Sequence, residues 1–524
     1  MAIAAKSILK SSGGLMIATL LSRILGFLRV MYEAFVLGGG ALAGAWQMAF
    51  LVPNWFRRLF GEGALSAAMI PMISHELVTS GLEQARQSIT LIVASVGILL
   101  SLLCIVISGG SLLAVHLVSR TDLVLIFRII PLVAPYMIFI CLIGVMSSAL
   151  NSIRVFFWPA MGAVLLNLCE IAALVWLCPK FTGKNYETLE VLSYTVLAAG
   201  IVQFILTLGM MYYYGLGLVF SRESFHRLAV LKELWLLMLP GLIGAAGVQI
   251  STLVDRTMAI SLGEYALPAL NNCDRLVFLP ISVFALSLGG VVLPRMSKAA
   301  ARNNLTNMLD IMFFGLHNLL FMCLPATVFL MVFRVEILRL IFMHGNFNTI
   351  ALREAAWTIM FYAIGIPCFA GIKIVVAGFQ ARKDMKTPMK VSLCCIVVNI
   401  ILNLILMWPL RQGGIALATV LSSLMNNTIL LLLLRRDLGM ELPLKSLLRP
   451  AVQATVISLL LAIALFYLYP WLSDWSCLPH WLGHDLWPLM VCGTVFAGLY
   501  FLILHWLDNR EAKALWELLL RRNS

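Results

Sequence analysis

Runs of about 20 predominantly apolar residues, each long enough to carry a helix across roughly 30 Å of hydrocarbon, recur fourteen times along the chain. They lie at about 12–37, 44–73, 88–118, 123–150, 158–178, 190–219, 233–260, 273–294, 311–342, 355–381, 389–408, 413–434, 450–470 and 486–507. Such a run has few structural options. Hydrocarbon offers no water to the peptide groups, and a helix satisfies them within the segment. The expected fold is therefore an all-α polytopic membrane protein. Composition agrees, because 61% of the 524 residues are hydrophobic and 12% are charged, against about 45–50% and about 25% in soluble domains. A soluble enzyme, a disordered scaffold and a nucleic-acid-binding domain are excluded. The net charge of +13 does not reopen the last of these. No basic tract with interleaved aromatics occurs, and no nucleic-acid partner is expected. The eleven cysteines form no CxxC pair and mostly sit inside apolar runs, as Cys104, Cys323 and Cys394–Cys395 do, which is helix filling. The first run is too long for a cleaved signal peptide and is crossed by Arg23 and Arg29.

The basic residues also set the orientation. With the N-terminus inside, 22 of the 37 Lys and Arg residues fall in inside segments and 5 in outside loops. Inside lie Arg222, Arg227 and Lys232, then Arg382, Lys383, Lys386 and Lys390, then Arg435, Arg436, Lys445 and Arg449. Outside lie Arg120, Lys180, Lys184, Arg353 and Arg411. Cytoplasmic loops carry the basic excess, so both termini are expected in the cytoplasm. The remaining ten basic residues lie within or at the ends of spans, where Arg58, Arg334 and Arg339 can snorkel.

A weak repeat divides the chain. Met69-Ile70-Pro71-Met72-Ile73-Ser74 resembles Val292-Leu293-Pro294-Arg295-Met296-Ser297 at an offset of 223, and Asn151 with Pro159 resembles Gln380 with Pro388 at 229. Chance similarity between proline-bearing helix ends is the competing explanation. Taken as a repeat, it gives an N-lobe of six spans over 1–220 and a C-lobe of six over 221–437. Helices 13 and 14 and a cytoplasmic amphipathic tail then occupy 438–524. An even number of spans per lobe inserts both the same way up, with a pseudo-two-fold axis along the membrane normal.

An arginine at the centre of a membrane helix costs about 2.5–3.5 kcal/mol on the insertion scale, so it must face water or find partners. Arg23, Arg29, Arg57 and Arg275 interrupt otherwise apolar spans. Ser22, Gly26, Arg29 and Glu33 fall on one stripe of span 1, and Asn54, Arg58 and Glu62 on one stripe of span 2. Two readings follow. Either the charges pair internally, Arg29 with Glu33 and Arg275 with Asp274, or unpaired arginines line a cavity for an anion. Acids near the spans are too few for every base. A guanidinium also meets phosphate oxygens bidentately, so a diphosphate is the ligand class for several converging arginines. A second set, Asp255 in span 7, Asn399 and Asn403 one turn apart in span 11 and Thr419 in span 12, offers hard oxygen ligands of the kind Na⁺ or Ca²⁺ takes. Interhelical hydrogen bonding explains the same residue types. No nucleophile elbow, phosphate-binding loop, HExxH or paired catalytic carboxylates occur, so no enzyme is expected.

Ser22-Arg23-Ile24-Leu25-Gly26-Phe27-Leu28-Arg29, then Pro53-Asn54-Trp55-Phe56-Arg57-Arg58-Leu59-Phe60-Gly61-Glu62-Gly63-Ala64, then Asp274-Arg275-Leu276 and Lys386-Thr387-Pro388 together resemble the MurJ/MviN family, lipid II flippases of the MATE-like exporter superfamily. The resemblance implies fourteen helices, two six-helix lobes about a cationic cavity, and a lipid-facing groove made by the last two helices. It places the substrate-binding residues at Arg23, Arg29, Arg57 and Arg275, with Ser22 and Glu62 alongside. It also implies a Na⁺ site at Asp255, Asn399, Asn403 and Thr419, with no other cofactor. Acids that the family often carries are Val30, Gly44 and Phe278 here, and Asn403 stands where a second sodium-ligating carboxylate can occur. The implied activity is alternating-access translocation of undecaprenyl-diphosphate-linked peptidoglycan precursor, from the cytoplasmic to the outer face of the bacterial inner membrane. The implied partners are that anionic lipid and membrane lipids, and the chain is expected to be a monomer. The rivals are an exporter of other lipid-linked oligosaccharides or of drugs, and a membrane glycosyltransferase or phosphatase. A drug exporter calls for acidic cavity residues, and an enzyme for acids and histidines clustered in an outside loop.

The topology is open to test. Single cysteines at Gly39, Lys184 and Gly483 should react with an impermeant thiol reagent from outside, and those at Ser224 and Lys386 should not. A reversed loop would break the fourteen-span threading at that point.

Overall fold

The computed structural model describes residues 2–61, 64–181, 183, 185–221, 227–474, 485–507, 509 and 513. The C-terminal tail lies outside the described residues except for Asn509 and Lys513. The architecture is all-helical. In chain order the helices are α1 (Ala2–Leu37), α2 (Ala41–Phe56), α3 (Ala64–Thr79), α4 (Leu82–Leu117), α5 (Thr121–Val133) and α6 (Tyr136–Ser152). Then come α7 (Phe157–Ala172), α8 (Asn185–Tyr213), α9 (Leu228–Ser261), α10 (Ala266–Ala301), α11 (Leu305–Val332) and α12 (Arg334–Phe342). The last six are α13 (Thr349–Ile364), α14 (Ile366–Ala381), α15 (Lys386–Leu410), α16 (Gln412–Leu438), α17 (Lys445–Asp474) and α18 (Trp487–Trp506).

Each apolar run read from the sequence overlaps helix, and the 190–219 run leaves it after Tyr213. Among the described residues, nine helical stretches are long and apolar enough to cross a membrane, or ten when the bent pair α5–α6 counts as one span. The runs at 12–37, 44–73, 233–260 and 273–294 are helical too, over α1, α2 with α3, α9 and α10. These helices carry Ser22, Arg23, Arg29, Arg57, Asp255 and Arg275.

Proline sets the main bends. Pro135 separates α5 from α6, which meet at 46°; a proline removes a backbone donor and its ring crowds the preceding turn. The chain divides into two compact units, Met1–Thr252 with Gly345–Phe347, and Leu253–His344 with Asn348–Ser524. In the first, α1 packs on α7, α2 on α5, and α6 on α8 and α3. Its core joins Leu65, Ile73, Ile89, Leu100, Met146, Met211 and Met238, all buried. In the second, α15 packs along α16 and α11 along α17. There Phe333, Ala462, Cys492 and Phe496 form one apolar cluster, and Phe321, Ala454, Tyr500 and Leu504 another.

A turn recurs between the units at the offset of 229 seen in the sequence. After α6, Arg154 adopts φ 67° and Val155 N–H donates to Leu150 O at 3.0 Å. After α14, Lys383 adopts φ 62° and Asp384 N–H donates to Phe379 O at 3.0 Å. Asp384 then accepts from the Lys386 and Thr387 amides at 3.1 and 3.0 Å, which starts α15. Hydrogen bonds from the Thr387 side chain and amide hold the Asp384 carboxyl below the usual range.

The α15–α16 turn is the tightest point of the second unit. Arg411 is left-handed there (φ 53°), and its guanidinium reaches Glu354 at 3.5 Å and Leu262 O at 3.1 Å. A Cβ at Gly414 would run into the Leu406 carbonyl, and one at Gly413 would meet the Phe361 ring at 2.7 Å. Backbone cannot yield as a side chain can. Gly414→Ala should therefore lower the melting temperature measurably, by a destabilisation of about 1–3 kcal/mol. Gly109→Ala, in open space on α4, should leave it unchanged or slightly higher.

Candidate functional site

The first unit gathers its polar groups where α1 meets α7. Ser22, Gly26, Arg29 and Glu33 share one face of α1 by helical spacing, and α7 presents Asn167 and Glu170 to it. Asn167 Nδ2 donates to Ser22 O at 3.1 Å. Arg29 Nη1 donates to Glu170 Oε1 at 3.0 Å, and its Nε lies 3.2 Å from Glu33 Oε1. The Phe50 ring of α2 covers the guanidinium at 5.7 Å. Arg29 and Glu170 are buried. Of the two readings, internal pairing with Glu33 is the one seen at this residue. Arg29 is held between two carboxylates, Glu33 on its own helix and Glu170, which the sequence reading passed over. A lone glutamate inside the 158–178 run was the available signal.

Arg57 is positioned differently. Pro53 lies inside α2, and the helix then widens into a π-helical turn over Arg57–Gly61, a form frequent at functional sites. Arg57 Nε donates to Asn54 Oδ1 at 3.3 Å, and Asn54 Nδ2 donates to Phe50 O at 3.2 Å. Phe50 thus links the Arg57 and Arg29 surroundings. Arg23 is exposed and Ser22 half-buried. Glu62 lies outside the described residues, and with it the Arg58–Glu62 pair read from spacing.

The second unit carries Arg275 on α10, exposed, while its neighbour Asp274 turns to Arg256 of α9 at 3.5 Å. The expected Asp274–Arg275 pair is therefore replaced by Asp274–Arg256. Adjacent residues on a helix point about a quarter turn apart, so Asp274 and Arg275 face different surroundings. Beside this pair the hard-oxygen set comes together. Asn403 Nδ2 donates to Asp255 Oδ1 at 2.6 Å and lies 3.3 Å from Asn399 Oδ1. Asn399 Nδ2 reaches Thr419 Oγ1 at 3.4 Å, and Thr419 donates to Ile415 O at 3.0 Å. One continuous chain of hydrogen bonds thus joins α9, α15 and α16, with Asn399 and Asn403 buried. Among the described residues no three His, Cys, Asp or Glu side chains gather as a metal site, so any cation here relies on amide and hydroxyl oxygens beside one carboxylate.

Bundled, proline-bent spanning helices with arginines placed inside them define a polytopic membrane transporter fold. Solved structures place that fold among known exporters. One described as the lipid II flippase MurJ in an inward closed conformation matches with a TM-score of 0.73 at 22% identity, covering 94% of this chain and 99% of that one. A multidrug resistance MATE family transporter of the MOP superfamily, inward-facing, matches with a TM-score of 0.65 at 13% identity, covering 81% and 98%. The family model described as lipid II flippase MurJ matches residues 34–483. The chain belongs to the lipid II flippase MurJ family. Among curated relatives, a probable lipid II flippase MurJ of Rhizobium meliloti is 32% identical over 472 residues, covering 87% of this chain and 86% of its own. The lipid II flippase MurJ of Burkholderia cenocepacia is 28% identical over 501 residues, covering 92% and 94%.

The Asp274–Arg256 pairing can be checked by stability. Asp274→Ala leaves the buried Arg256 guanidinium without its carboxylate and should lower the melting temperature by several degrees. Arg256→Met combined with Asp274→Leu should recover most of that loss, because the buried charge is gone. Arg275→Ala, at an exposed position, should move it little.

Proposed function

We infer that this chain is a lipid II flippase of the bacterial inner membrane, translocating undecaprenyl-diphosphate-linked peptidoglycan precursor from the cytoplasmic to the outer face. Membership of the lipid II flippase family over residues 34–483, together with arginines set inside its helices, supports this reading best. It is a transporter and performs no covalent chemistry. Arg29, Arg57 and Arg275, with Arg23, Ser22 and Glu62 nearby in sequence, are the groups for the diphosphate, whose oxygens suit guanidinium donors. Arginine in place of acid also separates this reading from a drug exporter, since a cationic drug calls for carboxylates.

The two halves of the chain serve as N-lobe and C-lobe, and their rocking presents the arginines first to the cytoplasmic side and then outside. Fourteen spans, both termini cytoplasmic, and a monomeric unit complete the picture. The polyprenyl tail has no reason to leave lipid. Exposed Leu460, Tyr467 and Trp471 on α17 and Met490 on α18 offer it an apolar path. A membrane potential negative inside favours outward movement of an anionic head by about 2.3 kcal/mol per charge per 100 mV.

A sodium ion fits the α9–α15–α16 set in donor chemistry, with Asp255, Asn399, Asn403 and Thr419 holding it. One carboxylate suits a monovalent ion better than a divalent one. The ion would supply a positive charge that stabilises half-buried Asp255 and ties the three helices together.

Two measurements test these assignments. Depletion of the protein in its host should trap lipid II on the cytoplasmic face, and plasmid-borne Arg57→Ala or Arg275→Ala should fail to relieve the block while accumulating normally. Accumulation of a different lipid-linked precursor would overturn the substrate. For the ion, sodium chloride should raise the melting temperature of purified protein above that in potassium or choline chloride at equal ionic strength. Asp255→Asn should abolish the difference, and identical responses to all three salts would exclude the site.

A further inference from the structure

Glu170 is the least expected charge in the first unit. It lies on α7, within the apolar Phe157–Phe181 stretch, and is completely buried. A carboxylate in such a place is costly unless paired, and where it occurs it marks function more often than packing. Its contact is with Arg29, at 3.0 Å through Nη1.

Arg29 meets groups from three helices. Glu170 takes one edge of the guanidinium from α7. Glu33 lies beside Nε from one turn further along α1, and the Phe50 ring covers a face from α2. A guanidinium carries five N–H donors in a fixed plane, so fixing one edge and one face fixes the direction of the rest. The α7 surface that does this is itself registered on α1. Asn167, three residues before Glu170, donates to Ser22 O, and the missing Cβ of Gly26 would lie 3.5 Å from Asn167 Nδ2. A Cβ there would be in ordinary van der Waals contact with α7, so the two helices are closely apposed at this level.

We propose that Glu170 is a positioning residue for lipid II recognition, orienting the Arg29 guanidinium so that its remaining donors meet the diphosphate in a preset geometry. This rests on the reading of Arg29 as a diphosphate ligand. Orientation before binding matters because an arginine that must be ordered by its ligand spends part of the binding energy on its own rotamers. Asn167 belongs to the same device, because its hydrogen bond to Ser22 O registers α7 on α1 and so delivers Glu170. A plain structural role, in which Glu170 only neutralises a buried cation, would depend on its charge. Positioning depends on an acceptor at the right reach, which an amide oxygen also provides.

The test is lipid II binding and flipping by purified protein reconstituted in liposomes, with melting temperature measured on each variant. Glu170→Ala should weaken lipid II binding at least about tenfold. Glu170→Gln, which keeps the acceptor and loses the charge, should stay within about threefold of wild type. Glu170→Asp keeps the charge but withdraws the acceptor by a methylene, and should be worse than Glu170→Gln. Arg29→Ala with Glu170→Ala should bind no more weakly than Arg29→Ala alone, whereas the losses from Arg57→Ala and Glu170→Ala should multiply. Wild-type binding by Glu170→Ala, or a better result for Asp than for Gln, overturns the proposal. If Glu170→Ala does not fold, the Gln and Asp comparison decides by itself. Wild-type protein that binds no lipid II overturns the flippase reading and this inference with it. Wild-type binding with an indifferent Glu170→Ala overturns only the positioning of Arg29.

Discussion

Hydrocarbon gives neither a peptide group nor a guanidinium the water it has elsewhere, and most features of this molecule follow from meeting those two demands together. The peptide groups are satisfied within helices over nearly the whole described chain. Pro135 lies where the chain bends between α5 and α6. The charged groups are met by neighbours on adjacent helices. Arg29 has Glu170 and Glu33, and Arg256 has Asp274. Removing one member of such a pair costs more than replacing both by apolar groups, because a lone buried charge is the expensive species.

The same demand decides how a polar stripe on a helix is met. A helix with a polar face needs a partner to cover it, and α1 finds one in α7. The contact is narrow because Gly26 stands on the α1 side, close to Asn167. Glu170, Glu33 and the Phe50 ring are the groups that make the burial of Arg29 tolerable.

In the second unit the polar groups are linked rather than opposed. Asp255, Asn403, Asn399 and Thr419 form a chain of hydrogen bonds across three helices. The asparagine amides turn N–H groups toward the carboxylate and hydroxyl. These side chains alone tie α9, α15 and α16 together at this level.

The sequence by itself determined the class, because fourteen apolar runs, a scarcity of charge and a lopsided distribution of Lys and Arg follow from one-dimensional spacing. It also located the stripe on α1, since a period of 3.6 residues places Ser22, Gly26, Arg29 and Glu33 on one face wherever the helix packs. The offset of 229 was legible too, and the left-handed Arg154 and Lys383 show the same turn built twice. Partner choice was not legible. Asp274 stands next to Arg275 in the chain, yet it is Arg256 on another helix that it reaches. Glu170 is 141 residues from Arg29, and no local pattern joins them. Helical spacing fixes which side chains share a face, but only the packing of one helix on another decides which charge each face meets, and in a medium without water that meeting sets the state of every ionic group.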